Sequence, residues 1–128
     1  MSGSQPGSFQ IHKSGRVASA ERKRDRVRDL NDQFRTTLIG GRAVMTSGIA
    51  ALDEKLIQRI VSAVSSFAAF DADNDPYHEH DFGALEIDGH KIFFKVEYYD
   101  TNLEYGSPDP SDASVTARVL TIMLAEEY

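Results

Sequence analysis

The feature that most constrains this fold is a change in hydrophobic period near residue 70. Apolar residues between positions 53 and 68 recur every three or four residues, whereas those between 85 and 98 alternate with other residues. The first period places apolar side chains on one face of a helix, and alternation places them on one face of a strand. We therefore expect an α+β domain in which helices cover one face of a sheet.

Two alternating runs flank Asp88-Gly89, a pair that accommodates the positive φ angles of a tight turn. We expect a β-hairpin here, because Leu85 and Ile87 precede the turn and an alternating apolar series follows it. A second turn over residues 100–102 and a short strand over 103–105 complete a predicted three-stranded antiparallel meander. A further short strand is expected over residues 42–47, which makes four strands in all.

Three helices are expected around this sheet. The first begins near Ser19 and ends at Gly40-Gly41, and the second follows Asp53, a residue suited to an N-cap. The third is predicted after residues 111–112, because apolar residues recur there at helical spacing: Val115, Val119, Ile122 and Met123. We expect the second and third helices on one face of the sheet and the first on the other face or at an edge.

The 128-residue chain is the size of one domain. Residues 1–18 are rich in Gly, Ser and Gln and are expected to form a disordered tail, with a single α+β domain over 19–128. The absence of cysteine excludes disulfides and thiol chemistry. No apolar run resembles a signal peptide or a membrane span, which favours a cytoplasmic protein without membrane contact.

The charge of the chain is unevenly distributed. Residues 1–38 hold eight Lys/Arg and four Asp/Glu, whereas the remainder holds six Lys/Arg and sixteen Asp/Glu. A basic arm stands out in the first helix, made of Arg22, Lys23, Arg24, Arg26 and Arg28. The arm could bind nucleic-acid phosphates, lie on the acidic body, or form solvated ion pairs along its own helix.

The polar stretch 71–83 concentrates acids and imidazoles just before the hairpin. Glu79, His80 and Asp81, with the distant Asp100, are candidates for acid/base catalysis. His80, alone or paired with His78 in an extended segment, is a candidate metal ligand. The competing interpretation is structural, with residues 74–76 forming an Asx turn and His80 and Asp81 capping backbone amides.

The second strand of the hairpin also carries an aromatic and basic face. Lys91, Phe93, Lys95, Glu97 and Tyr99 alternate with the apolar residues expected to be buried. Rings interleaved with lysines are typical of surfaces that bind single-stranded nucleic acid. The alternative is that Phe93 and Tyr99 are covered by a helix or by a homodimer partner.

Several segments together resemble a bacterial family of unknown function found in alphaproteobacteria. They are Leu30-Asn-Asp-Gln-Phe34, Asn74-Asp-Pro-Tyr77, Glu79-His-Asp-Phe-Gly83, Phe94-Lys-Val-Glu-Tyr-Tyr-Asp100, Gly106-Ser-Pro-Asp-Pro110 and the C-terminal run 119–128. The resemblance implies a role in plasmid or mobile-element accessory regions, such as blunting host defence. His78 stands where the family usually has a small residue, which weakens a metal site built on it.

We therefore expect a non-enzymatic binding module of a mobile element, of antirestriction or anti-CRISPR type, that binds a basic nuclease or nucleic-acid-binding complex through an acidic surface. No cofactor is expected. The expected binding residues are Asn74, Asp75, Tyr77, Glu79, Asp81, Phe93 and Tyr99. Alternatives are a metal-dependent or acid/base hydrolase and a nucleic-acid-binding protein that uses the basic arm.

Overall fold

The structure is a computed structural model that describes residues 4–128, with side chains from residue 19 onward. It contains three helices, α1 (Ser4–Thr37), α2 (Ser47–Ala50) and α3 (Glu54–Ser65). Its four strands are β1 (Arg42–Met45), β2 (Phe82–Ile87), β3 (His90–Tyr99) and β4 (Ala117–Leu124). Single 3₁₀ turns cover Ala113–Val115 and Ala125–Glu127.

The strands form one mixed sheet in the order β1-β4-β3-β2. β2, β3 and β4 are a continuous antiparallel meander, and β1 pairs with β4 in parallel. The α+β class and the mostly antiparallel four-stranded sheet predicted from the sequence are confirmed. The hairpin is also confirmed, since Ile87 pairs with His90 across the turn and Asp88 and Gly89 both have positive φ.

The core lies between the helices and one face of the sheet, here called the inner face. Phe34 of α1 and Ile60 and Val64 of α3 pack in a single cluster with apolar side chains of β3 and β4: Ile92, Phe94, Val96, Leu120 and Ile122. Both long helices thus cover the same face. The prediction that the first helix lies on the opposite face or at an edge is wrong, because its buried stripe joins the same apolar cluster as α3.

α3 matches its prediction closely. Its N-cap is Asp53, whose carboxylate accepts a hydrogen bond from the Lys55 backbone amide at 3.1 Å. α1 differs at its start, because Ser19 lies inside the helix and not at an N-cap. The predicted disordered tail covers residues 1–18. Residues 1–3 and the side chains of residues 4–18 lie outside the described part of the chain, so the tail stays a prediction.

The predicted C-terminal helix is wrong, because residues 117–124 form the central strand β4. Its inward side chains include Leu120 and Ile122, while Met123 is buried on the other side. A strand with apolar side chains on both faces presents a nearly continuous apolar run, which spacing alone does not distinguish from a helix. The β-branched residues Val119, Thr121 and Ile122 fit a strand better.

The predicted strand over 103–105 is also wrong, because these residues belong to a turn. The Asp100 carboxylate accepts a hydrogen bond from the Glu104 amide at 3.0 Å, and Leu103 has a φ of 59°. Only an isolated bridge between Tyr99 and Gly106 continues the pairing. The meander therefore takes β4 as its third strand.

None of the helices in the described part of the chain combines the length and the apolar character that a membrane crossing requires.

Gly83 on β2 makes room for an aromatic group in the core. A Cβ added there would collide with the Phe94 ring and approach Phe67 Cε2 to 2.9 Å. We predict that Gly83→Ala lowers the free energy of unfolding by about 1–3 kcal/mol, because the extra methyl overpacks this site. Gly106→Ala is the control, since its nearest atom, the Tyr98 carbonyl oxygen, is 4.0 Å away. Urea unfolding of both variants tests this, and equal effects would contradict it.

Candidate functional site

A buried polar network joins α1, β3, β4 and the loop of residues 71–81. Its centre is Asn31 of α1, which is fully buried. The Asn31 amide donates hydrogen bonds to the Tyr98 hydroxyl at 2.7 Å and to the Glu79 carbonyl at 3.0 Å. Its own carbonyl oxygen accepts a hydrogen bond from Arg118 Nε at 2.8 Å. The three hydrogen-bonding partners of this amide thus require a fixed arrangement of α1, β3, β4 and the loop.

Glu79 and Arg118 both contact Tyr98. The Tyr98 hydroxyl donates to the Glu79 carboxylate at 2.8 Å, and the Arg118 guanidinium lies 5.2 Å from the centre of the Tyr98 ring. Arg118 also donates to the Pro110 carbonyl. Burial raises the pKa of Tyr98, with a smaller contribution from Glu79, and burial lowers the pKa of Arg118. The hydroxyl therefore stays protonated and acts as a donor.

The Asp75 side chain fixes the backbone of the 71–81 loop. It is 2% exposed, and one of its carboxylate oxygens accepts hydrogen bonds from the Glu79 and His80 amides at 2.9 and 3.1 Å. Asp71 caps the preceding turn by accepting from the amides of Asp73 and Asn74. The interpretation of this stretch as a capped turn is supported, although Asp71 and Asp75 do the capping in place of His80 and Asp81.

His80 ties the loop to α1. Its Nδ1 lies 2.9 and 3.0 Å from the two carboxylate oxygens of Asp32, and its Nε2 lies 3.6 Å from Asp75. The ring stacks on Phe70 with centroids 3.9 Å apart. Arg35 completes the link, since it donates to Asp32 at 3.0 Å, to the carbonyl of Val64 in the last turn of α3 and to the carbonyl of Phe67 just after that helix. His80 thus stabilises the position of the loop against α1.

The catalytic candidates are only partly brought together. Glu79 and His80 lie in the network and Asp81 lies half-buried beside Glu79, whereas Asp100 lies in the turn after β3 and caps it. His78 and His80 both have positive φ, so the extended backbone assumed for a histidine pair is not formed. Across residues 19–128, no group of three or more His, Asp and Glu side chains is arranged to hold a metal ion.

The remaining binding candidates lie on two sides of the molecule. Tyr77 at the tip of the 71–81 loop is 67% exposed, and Asn74 is half-buried because it bonds within the turn. Phe93 and Tyr99 are half-buried on the outer face of the sheet, the face opposite the helices. The loop packs against α1 on the inner side of the sheet, whereas Phe93 and Tyr99 face the other side, so the expected binding set divides into two surfaces.

The basic arm is partly neutralised by the protein itself. Arg26 Nε donates to the Ser111 carbonyl at 2.9 Å, beside Asp109 and Asp112. Arg28 forms ion pairs with Asp25 and Asp29, both at 3.2 Å. Arg22, Lys23 and Arg24 are exposed. The arm therefore combines two of the arrangements expected from the sequence, contact with the acidic body and ion pairs along its helix.

Sequence reasoning missed most of the network. Asn31, Asp32 and Arg35 lie on α1 beside the apolar stripe that contains Val27 and Phe34, and this was the available signal. Polar residues on a buried stripe require partners, because unsatisfied buried groups cost free energy. Arg118 gave no comparable signal, since its segment was interpreted as a helix.

Comparison with known proteins identifies the family. A family model described as a protein of unknown function, DUF3768, matches residues 45–127. The match covers more than half of the chain, so the protein belongs to this family. It includes most of the motifs that carry the sequence resemblance, while α1 lies outside it. No curated protein and no solved structure matches the chain.

We predict that Asn31→Ala lowers the free energy of unfolding by about 2–4 kcal/mol, because it leaves the Arg118 Nε donor, the Tyr98 hydroxyl oxygen and the Glu79 carbonyl oxygen without their Asn31 partner. The matched control is Gln33→Ala, an exposed position on the same helix, with an expected change within about 0.5 kcal/mol. Denaturant unfolding followed by circular dichroism measures both. Similar small losses for the two variants would contradict the role assigned to Asn31.

Asp81 gives a prediction of pH dependence. Burial, and then the neighbouring Glu79, raises the pKa of its carboxyl group. A raised pKa means that the folded state favours the protonated carboxyl group. Its contribution to stability is therefore complete below the pKa of the unfolded state and is lost as pH rises through the pKa of the folded state. We expect Asp81→Asn to raise the melting temperature at pH 7 and to leave it unchanged near pH 3. Asp73→Asn, at an exposed position, should have little effect at either pH.

Proposed function

We propose that this member of the DUF3768 family is a non-enzymatic binding module that presents the 71–81 loop to a protein partner with a basic surface. The observation that carries the proposal is an exposed tip on a loop whose base is fixed by buried hydrogen bonds. Tyr77 is 67% exposed, while Asp75, two residues before it in the same loop, is 2% exposed and accepts hydrogen bonds from two backbone amides. A loop ordered before binding loses less entropy when it binds.

The chemistry of the tip fits a protein interface. Tyrosine is enriched at the energetic centres of interfaces, because its ring offers a large contact area at a low conformational cost. Asp71 and Asp73 are exposed beside it, and the groove between the loop and α1 is also lined by Glu21 and Asp25. Arg24 and Arg28 line the same groove, so acids and cations alternate along it.

The charge of the body favours a basic partner. From residue 39 onward, ten acidic side chains are exposed against four basic ones. The acids are Asp53, Glu54, Asp71, Asp73, Glu86, Asp88, Glu104, Asp112, Glu126 and Glu127, and the bases are Arg42, Lys55, Arg59 and Lys91. An excess of one sign accelerates encounter with a partner of the other sign and repels polyanions. The contact we propose is therefore with exposed acids and Tyr77, since Asp75 and Glu79 are engaged inside the protein.

The partner class follows from this charge. Proteins that bind nucleic acid expose basic grooves, and an acidic protein can occupy such a groove. We propose a basic nuclease or another nucleic-acid-binding complex as the partner, with a role for the module in a mobile element as an anti-defence protein. The hydrolase alternative gains less support, because Glu79 and His80 are committed to bracing hydrogen bonds.

We expect affinity purification from the native host to recover a basic protein whose retention falls as salt rises, because screening weakens attraction between opposite charges. Tyr77→Ala should reduce the affinity of the purified pair by about tenfold or more, as for a central interface residue. Tyr105→Ala is the matched control, since Tyr105 is 73% exposed but lies outside the loop.

Three results would count against the proposal. Retention that does not change with salt would remove the electrostatic argument. Equal losses in the Tyr77 and Tyr105 variants would remove the loop as the contact surface. Binding of single- or double-stranded DNA that is lost when the exposed Arg22, Lys23 and Arg24 are replaced by glutamine would favour the nucleic-acid alternative.

A further inference from the structure

The outer face of the sheet carries an aromatic cluster that no helix with described side chains covers. Phe82 and Phe93 pack with their ring centroids 5.1 Å apart, and Tyr128 lies across both at 5.9 and 5.5 Å. Tyr128 is nevertheless 75% exposed, and Val44 on the adjoining part of the face is 39% exposed. An exposed apolar area with a polar rim is typical of an interaction surface.

The charges around this face differ from those of the rest of the body. The outward-facing charged side chains of the strands are three cations and two acids, and Lys95 pairs with Glu97 at 3.4 Å within one copy. They are Arg42, Lys91, Lys95, Glu86 and Glu97. Elsewhere on the body exposed acids predominate, and the whole chain has a formal charge of −6. Two copies of an acidic protein repel each other unless they meet where charge is balanced, and the outer face is such a place.

We propose that the outer face is the self-association surface of this protein, on which a second copy docks face to face. The outward charges along β3 of one copy are complementary to those of a second copy in the opposite direction, because Lys91 and Glu97 are equally distant in sequence from Phe94. A two-fold axis across the strand at that residue brings Lys91 of each copy opposite Glu97 of the other. It also joins the two aromatic clusters over the centre, at the spacing of about 10 Å that is usual for packed sheets.

This surface is independent of the proposed loop contact. The loop leans on α1 on the inner side of the sheet, whereas the self-association surface lies on the opposite side. The two also respond to salt in opposite directions. Raising salt weakens a contact between opposite net charges, but it relieves the net repulsion between two acidic copies.

Sedimentation velocity of the full chain over a range of concentrations tests the proposal. We expect a monomer–dimer equilibrium that is retained or strengthened as salt rises. Lys91→Glu should raise the dissociation constant by about tenfold, because it places like charges opposite each other. Lys55→Glu, the same change of charge at an exposed site on α3, should have a much smaller effect. The exchange Lys91→Glu with Glu97→Lys should restore association.

Several outcomes would overturn the proposal. One is a wild-type chain that stays monomeric at every concentration. If such a monomer binds oligothymidylate and Phe93→Ala abolishes that binding, the outer face is a nucleic-acid surface instead. Another is an equal effect of the Lys91 and Lys55 variants, which would attribute the change to net charge and not to the face. Failure of the charge exchange to restore association would remove the two-fold arrangement. Circular dichroism confirms that each variant is folded.

Discussion

The structure depends on the complete hydrogen bonding of one buried amide, that of Asn31. Its donors and acceptor connect α1 with β3, β4 and the base of the 71–81 loop. A buried polar network that is fully satisfied fixes a unique arrangement, because any shift leaves a group unpaired at a cost of about 1–3 kcal/mol. The network thus determines where α1 lies on the sheet and how the loop leaves it.

The binding role that we propose for the loop depends on this arrangement. Asp75 organises the backbone, His80 and Glu79 attach the loop to α1 and β3, and the tip with Tyr77 extends into solvent. Two of the residues that suggest acid/base chemistry, Glu79 and His80, therefore hold the loop, and the neighbouring Tyr77 is exposed to solvent. Polar residues beside a strand more often fix backbone than perform reactions, and here the hydrogen bonds show which residues do so.

Much of the fold could be predicted from local patterns. The Asp88-Gly89 turn, the alternation along β3 and the cap at Asp53 each depend on neighbours in sequence, and the structure confirms them. β4 could not be recognised in this way, because its apolar side chains on both faces are explained only by its central position between β1 and β3. The network was hidden for the same reason, since Asn31 and Arg118 meet across 87 residues of chain. Membership of DUF3768 adds no activity to this account.

The central claim is that the loop is fixed in the free protein. Native-state hydrogen exchange at the Glu79 and His80 amides tests it most directly, because both donate to the buried Asp75 carboxylate. We predict protection comparable to that of the Val96 amide, which donates to the Asp81 carbonyl at 2.8 Å within the same region. Exchange of the Glu79 and His80 amides at the rate of an unstructured peptide would contradict the account.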